Sequence, residues 1–319
     1  MTESSVQAES KPAASFPATT SPPLCVDLDG TLLATDSLWE SLLLFARKHP
    51  GELWRIPGWL MGGRARFKDK LANAVTLDAA TLPYRKQVIE LLREEKAAGR
   101  RIVLATAAPR KIADGIAGHL GLFDEVIASG STTNFKGSAK LAEIERRFGA
   151  GNFDYVGNSH ADLPVWKSAR RAYVISSGAM EQKAKTVCSP FKVIDVTLGI
   201  KPYVKALRPH QWVKNLLLFI PLILAHKLGD WHRDWQGVLS FISFSFYASS
   251  IYIINDLLDL ESDRRHASKR NRPFASGKVS ATRGLAMSIA MLVAAFALAV
   301  VLPWKFIVWL AVYVLMTTL

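Results

Sequence analysis

Two acidic groups have spacings that could do chemistry. Cys25-Val26-Asp27-Leu28-Asp29-Gly30-Thr31 sets two carboxylates in alternation at the end of an apolar run. Such a pair suits phosphoryl transfer: one carboxylate attacks phosphorus, the other moves the leaving-group proton, and a metal neutralises the crowded charge. Far along the chain, Asn255-Asp256-Leu257-Leu258-Asp259-Leu260-Glu261-Ser262-Asp263 continues out of an uncharged stretch. At about 100° per residue, Asp256, Asp259 and Asp263 fall within roughly 60° on one helix face. Like charges on one face repel unless a cation sits among them, and oxygen ligands in a row suit magnesium bridged to a diphosphate. Arg264, Arg265, Lys269, Arg270 and Arg272 follow as hydrogen-bond donors for phosphate.

The elements that must position the first pair read as α/β. Segments 24–28, 101–106, 125–128, 153–156 and 172–175 are strand-like, and helical stretches such as 85–96 and 136–147 lie between them. This alternation argues for a parallel sheet with helices on its faces. Ligands of such sheets bind beyond the carboxyl ends of the strands, which is where Asp27 and Asp29 lie. The connection from Thr31 to Arg101 far exceeds an ordinary βα loop. Its periodicity at Leu38, Leu42, Phe45 and Ala46 predicts a helical insertion above the first strand. The basic residues Arg64, Arg66, Lys68 and Lys70 in that insertion read as a solvated helix face, with contact to an anionic substrate as the alternative.

The elements that position the second group read as membrane spans. Segments 235–255 and 284–304 carry no charge over a length that crosses ~30 Å of hydrocarbon. Segment 216–225 is apolar but short and spans only if extended into its flanks. A fourth apolar run begins at Phe306, so the chain is expected to be part of a longer membrane protein. Lys201, Lys205 and Arg208 precede the first run, and Arg264, Arg265, Lys269, Arg270, Arg272 and Lys278 lie between the second and third. The loop between the first two carries only Lys227 and Arg233, offset by Asp230 and Asp234. The positive-inside rule therefore places the α/β domain in the cytoplasm, at the inner face of a multi-pass protein of the cytoplasmic membrane.

Composition agrees with this division. The 319 residues hold 40 Lys and Arg against 27 Asp and Glu, a formal charge of +13. The slightly positive mean hydropathy averages a charged half with an apolar one, which excludes a disordered chain and a wholly soluble enzyme. Membrane and phosphate account for the excess charge, and no nucleic-acid module is visible. Cys25 and Cys188 match neither a disulfide framework nor a zinc spacing. Residues 1–22, rich in Ser, Thr, Ala and Pro and without an apolar core, read as a disordered tail rather than a signal peptide.

Further residues sharpen the first site. Thr106 closes segment 101–106, Lys136 follows the third strand in Asn134-Phe135-Lys136-Gly137, and Gly157-Asn158-Ser159-His160-Ala161-Asp162 closes the fourth. In this order and placement, residues 24–175 resemble the haloacid dehalogenase-like phosphohydrolase superfamily. The resemblance implies a Rossmannoid α/β fold with a helical cap, Asp27 as nucleophile forming an aspartyl-phosphate, and Asp29 as acid and base. It implies Thr106 and Lys136 on the phosphate, and magnesium held by Asp27, Asp29, Asn158 and Asp162. Asn158 departs from the pattern, which usually has an acid there; an amide oxygen brings no charge to a hard cation.

The acid string resembles the first aspartate-rich motif of the UbiA-type intramembrane prenyltransferases, matching at Asn255, Asp256, Asp259 and Asp263. Arg208-Pro209-His210-Gln211-Trp212-Val213-Lys214-Asn215, and the run from Asp263 through Lys269, Arg272, Pro273 and Gly277, are similar to the branch containing decaprenyl-phosphate phosphoribosyltransferase. This resemblance covers about 201–319 and implies the first part of an all-α transmembrane helix bundle. It implies magnesium on Asp256, Asp259 and Asp263, with Lys214, Asn255, Arg264, Lys269, Arg270 and Arg272 near a phosphorylated substrate. The family's second acidic motif is expected beyond Leu319, so 1–319 alone is expected not to complete catalysis.

The domain reading is a tail at 1–22, a haloacid dehalogenase-like domain at 23–196 with its cap at about 36–84, and a partial UbiA-type domain at 197–319. The function so implied is a membrane transferase that moves a prenyl or phosphoribosyl group from a magnesium-bound diphosphate to a lipid acceptor. Phosphoribosyl transfer to polyprenyl phosphate is favoured by the branch resemblance. The alternatives are prenylation of an aromatic acceptor, a membrane-tethered phosphatase, and a non-catalytic phosphate-binding module.

Overall fold

Strands buried on both faces read as continuous apolar runs, and five of the six strands here announce themselves that way. The computed structural model describes residues 21–131, 133–176, 178–224 and 229–318. In it β1 (Leu24–Val26), β2 (Ile102–Pro109), β3 (Glu125–Ser129), β4 (Asp154–Gly157), β5 (Arg171–Ser176) and β6 (Lys192–Asp195) pair in the order β3-β2-β1-β4-β5-β6, every pair parallel. The pattern missed β6, an edge strand that buries only Ile194 and so carries little apolar signal. Alternation sends Leu24, Val26, Leu104 and Val156 into one core and Cys25, Val103, Tyr155 and Val174 into the other.

Between β1 and β2 the chain builds α1 (Ser37–Lys48), α2 (Arg55–Met61) and α3 (Arg64–Ala74) before α4 (Lys86–Ala97) returns it to the sheet. Asp36 starts α1 by accepting from the N–H groups of Leu38 and Trp39 at 2.9 and 3.2 Å. Leu44, Phe45, Phe67 and Leu71 give this helical insertion a small core of its own. The remaining connections are α5 (Arg110–Leu120), α6 (Ser138–Phe148), α7 (Leu163–Ser168) and α8 (Ala179–Lys185). The helix expected from 136 begins at Ser138, because Gly137 holds a φ of 59°. β1 lies between β2 and β4, so the chain crosses over to opposite sides of it; a crevice opens at such a switch point, and Asp27 is the first residue past β1.

The second half is helical: α9 (Lys201–Leu207), a 3₁₀ segment Pro209–Phe219, α10 (Ile220–Leu224), α11 (Trp231–Leu258), α12 (Leu260–Arg265), α13 (Ala281–Val300) and α14 (Trp304–Thr318). α11 and α13 are long and apolar enough to cross a bilayer, and only 33% and 22% of their most apolar windows are buried. A core helix of a soluble protein would bury most of such a surface, so lipid is the solvent these helices suit. They pack antiparallel through small residues: Ser243 Oγ donates to the Ala295 carbonyl at 2.8 Å, and the Ser250 and Ser288 hydroxyls meet at 2.9 Å. The run at 216–225 is not one helix among the described residues. It changes at Ile220, where Pro221 is tolerated as an early residue of a new helix but could not continue an old one. Lys227 and residues 1–20 of the expected tail lie outside the described residues.

The insertion joins the halves. Trp39 and Leu43 of α1 pack with Ile253, Leu257 and Phe274. The Arg264 guanidinium donates to Glu40 at 2.9 and 2.7 Å and to the Ala275 carbonyl at 2.9 Å. Gly277, at a φ of 71°, lies so close to Ala34 and Pro83 that a Cβ would come within 2.8 Å of one and 3.0 Å of the other.

Candidate active site

After β1 the chain turns through Gly30, whose φ of 74° suits glycine alone without strain. A Cβ there would sit 2.2 Å from Asn158 Nδ2, so the turn brings the loops after β1 and β4 into contact. Asp27 is buried, and its counter-ion is Lys140 in the first turn of α6. The Lys140 ammonium donates to Asp27 Oδ1 and to the Tyr155 hydroxyl, each at 2.7 Å, and reaches Asp162 Oδ1 at 3.4 Å. Lys136, expected on the phosphate, is exposed on the wall of the crevice, in the loop before α6. Reading along the chain missed Lys140. Its signal was a lysine four residues before Ile144, on the face of α6 that is buried.

Environment separates the two aspartates. Burial pushes the Asp27 carboxyl up to about 6, with Lys140 pulling against it. Burial, then the nearby Asp36 charge, pushes Asp29 up to about 7, although Asp29 Oδ1 accepts the Ser37 N–H at 2.7 Å. Burial works to lower the Lys140 pKa, but Asp27 and Asp162 outweigh it and hold it above its ordinary value.

Two expectations need correction. Asp162 was expected at the metal, yet protein donors occupy both its oxygens. Oδ1 accepts from Tyr155 at 2.6 Å, and Oδ2 accepts from Asn158 N, Ser159 N and Ser159 Oγ at 3.1, 2.9 and 2.8 Å. Asp162 therefore organises the β4 loop and positions Lys140. Thr106 is fully buried beneath the wall, its hydroxyl accepting the Ala108 N–H at 3.0 Å, and it is Ala107 that lines the crevice. Asp27 and the Asn158 amide line the crevice together, with one charge between them and one lone pair of Asn158 Oδ1 taken by the Thr31 hydroxyl at 3.1 Å. That donor set fits a magnesium ion that keeps water and takes further oxygens from a phosphate, not a closed protein cage. Among the described residues no group of three or more His, Cys, Asp or Glu is placed to hold a metal.

The crevice is larger than the sheet alone would make it. It is a chamber of about 1100 Å³ lined by Asp27, Asp29 and Asn158 and by Ser276 and Lys278 from the segment joining α12 to α13, with Arg283 from the first turn of α13. Lys68 of α3 and Lys136 add positive charge. Of the basic residues in the insertion, Lys68 is thus the one turned toward the site, donating to the Ala107 carbonyl at 3.0 Å.

The second site forms where α11 ends. Asp256 and Asp263 are buried and converge on Arg272, whose Nη1 donates to Asp256 Oδ1 at 3.1 Å and to Asp263 Oδ2 at 2.8 Å. Arg208 also pairs with Asp256 and lies 5.2 Å over the Tyr252 ring. It is the one non-glycine residue with a left-handed φ, 51°, among the described residues, strain of the kind that persists where surroundings dictate it. Arg208 was legible only as the opening of a motif, not as a partner of the acids.

Asp259 breaks the expected three-acid face. α11 stops at Leu258 and the helix restarts at Leu260, so Asp259 turns to Arg47 of α1 at 3.5 Å. Arg264, expected near substrate, is instead spent on Glu40 inside the contact between the halves. Lys214, Asn255, Lys269 and Arg270 are exposed. The two carboxylates meet on the Arg272 guanidinium through one oxygen each, which leaves Asp256 Oδ2 and Asp263 Oδ1 as the oxygens that could take a hard cation shared with a diphosphate.

Comparison with known proteins divides the chain in the same way. Residues 24–167 match the family model described as haloacid dehalogenase-like hydrolase, and residues 216–319 match the UbiA prenyltransferase family. A Sinorhizobium fredii protein named "Uncharacterized protein y4nM" is 38% identical over 299 residues, covering 92% of this chain and 58% of that protein. Decaprenyl-phosphate phosphoribosyltransferase of Mycobacterium tuberculosis is 47% identical over 81 residues, 24% of this chain and 26% of the relative. The chain therefore spans well under two thirds of the length of either. A crystal structure of a protein with unknown function from Bordetella pertussis Tohama I aligns at a TM-score of 0.44 and 20% identity, over 56% of this chain and 99% of that one.

Proposed function

We propose, for a chain that joins a haloacid dehalogenase-like domain to a UbiA-type domain, that the membrane half transfers a group from a diphosphate donor to a lipid acceptor. The observation that carries this is the convergence of Asp256 and Asp263, with Arg272 and Arg208, at the end of the apolar α11. In the reaction the bond between the transferred carbon and the diphosphate oxygen breaks, pyrophosphate leaves with the electron pair, and an acceptor oxygen bonds the carbon. A magnesium ion held by Asp256 and Asp263 would neutralise the departing pyrophosphate. Arg272 and Arg208 hold the acids in place and offer guanidinium donors to the same phosphates. The positive-inside pattern favours the cytoplasmic side for this site and for the α/β domain.

Similarity to a decaprenyl-phosphate phosphoribosyltransferase favours phosphoribosyl diphosphate as donor and a polyprenyl phosphate as acceptor. The test is pyrophosphate release by the whole protein in lipid nanodiscs, offered polyprenyl phosphate with phosphoribosyl diphosphate, or an aromatic acceptor with a prenyl diphosphate. Release with phosphoribosyl diphosphate supports the reading, and release with the prenyl donor alone overturns it.

The chamber favours a second activity, hydrolysis of a phosphomonoester. Asp27 attacks phosphorus, the bond to the leaving oxygen breaks, and that oxygen takes its proton from Asp29. Water then attacks the aspartyl-phosphate, giving its proton back to Asp29 and freeing phosphate. Lys140 holds Asp27 in line throughout. Hydrolysis of p-nitrophenyl phosphate that disappears in Asp27→Asn would support this activity. An inert protein that gains hydrolysis in Asn158→Asp would instead mark the domain as a phosphate-binding module.

A further inference from the structure

The tip of the helical insertion is apolar where nothing in the fold requires it. α2 buries none of its seven residues. Trp54 is 76% exposed and Met61 is 90% exposed, with Leu53 and Leu60 beside them. Between β1 and β6 the only other large hydrophobic so exposed, among the described residues, is Phe191. A cluster of this kind, unlike scattered single residues, marks an interaction surface. Arg64 and Arg66 rim it, both exposed, while Arg55 is paired with Glu52 and lies over the Trp59 ring. Aromatic and apolar side chains ringed by arginine suit the boundary between headgroups and acyl chains of an anionic bilayer.

The fold puts this tip at the right level. α1 lies across the end of α11, with Arg47 3.5 Å from Asp259 and Lys48 3.6 Å from Glu261. Trp54 follows Lys48 by six residues, so it lies within about 20 Å of Lys48, which pairs with Glu261 just past the end of α11. We infer that the insertion tip is a membrane-surface anchor, with Trp54, Leu60 and Met61 in the headgroup–acyl boundary and Arg64 and Arg66 on lipid phosphates. The inference rests on the reading of α11 and α13 as spans. The positive rim of the patch is complementary to anionic lipid, which selects a bilayer over a protein partner.

The test uses the whole protein in nanodiscs containing phosphatidylglycerol, with Cys188→Ser to leave only the buried Cys25. A nitroxide is attached at Met61→Cys, at Val293→Cys within α13, or at Lys185→Cys on α8. Collision rates with oxygen, which favours lipid, and with a water-soluble nickel chelate are then compared. At position 61 the ratio of oxygen to nickel collisions should be several-fold above that at position 185, and should fall when phosphatidylglycerol is replaced by phosphatidylcholine. A ratio at 61 equal to that at 185, or shielding from both reagents by a protein cover, would overturn the anchor. A water-like value at position 293 would overturn the span reading itself, a separate failure that position 61 cannot mimic.

Discussion

Asp27 and Asp29 are two residues apart, yet burial and neighbours give them different proton affinities, and the proposed hydrolysis needs that difference. Asp27 must be ionised to attack, and Asp29 must hold a proton to donate. With carboxyls pushed up to about 6 and about 7, hydrolysis of p-nitrophenyl phosphate should rise near the first value and fall beyond the second, peaking between them. Both values lie above the ordinary carboxylate range, so the folded state binds protons that the unfolded chain has released. Their stabilising contribution is complete below about pH 4 and is lost as pH rises through about 6 and about 7. Asp29→Asn should therefore flatten the fall in unfolding temperature between those limits, as calorimetry across pH would report. Lys140→Met should lower kcat by about 10²–10³, the usual cost of one charged stabiliser, whereas Lys136→Met should act mainly on KM. Equal kcat losses in the two variants would return the phosphate role to Lys136.

At the scale of elements, α1 couples the two sites. Its first turn lies under Asp29, its middle packs on α11, and its last turn reaches Asp259 and Glu261. The central contact is the buried two-pronged pair of Arg264 with Glu40, whose Oε1 also accepts from Thr35 at 2.8 Å. Removing one partner leaves the other charged, buried and alone, at a cost of about 3–5 kcal/mol. Arg264→Ala and Glu40→Ala should each lower the unfolding temperature in detergent, and the double variant should lose less than the sum. Additive losses would mean that the pair does not carry the contact. Gly277→Val should loosen the same contact by steric means, read as faster proteolysis between β6 and α9, because Ala34 and Pro83 leave no room for a side chain at a positive φ.

The whole molecule holds the acid pair at the end of α11 and the Asp27 chamber in one body, with residues 272–283 serving both. Arg272 joins the acids, while Lys278 and Arg283, a few residues on, line the chamber. The two activities should still be separable. Asp263→Asn should abolish pyrophosphate release and spare p-nitrophenyl phosphate hydrolysis, and Asp27→Asn should do the reverse. Chelation of divalent cations should stop the first reaction, and insensitivity to chelation would remove the cation from Asp256 and Asp263. Arg283→Glu should raise KM for a phosphorylated lipid far more than for p-nitrophenyl phosphate, since only the larger substrate needs the membrane-side wall.

Local chemistry carried much of this in the chain itself. The alternating apolar runs specified the parallel sheet, Asp27 and Asp29 announced the crevice end of β1, and the uncharged lengths of α11 and α13 specified lipid. Periodicity measures which residues share a face, not what stands opposite that face. So it could not show that Lys140 rather than Lys136 meets Asp27, that Arg208 and Arg272 hold Asp256, or that a break after Leu258 turns Asp259 toward Arg47. Those pairings join residues tens to hundreds of positions apart or depend on where a helix stops. Only tertiary packing decided them: α6 against the end of β1, the loops folded around the end of α11, and α1 across it, because the free energy that selects each partner comes from groups brought together in space.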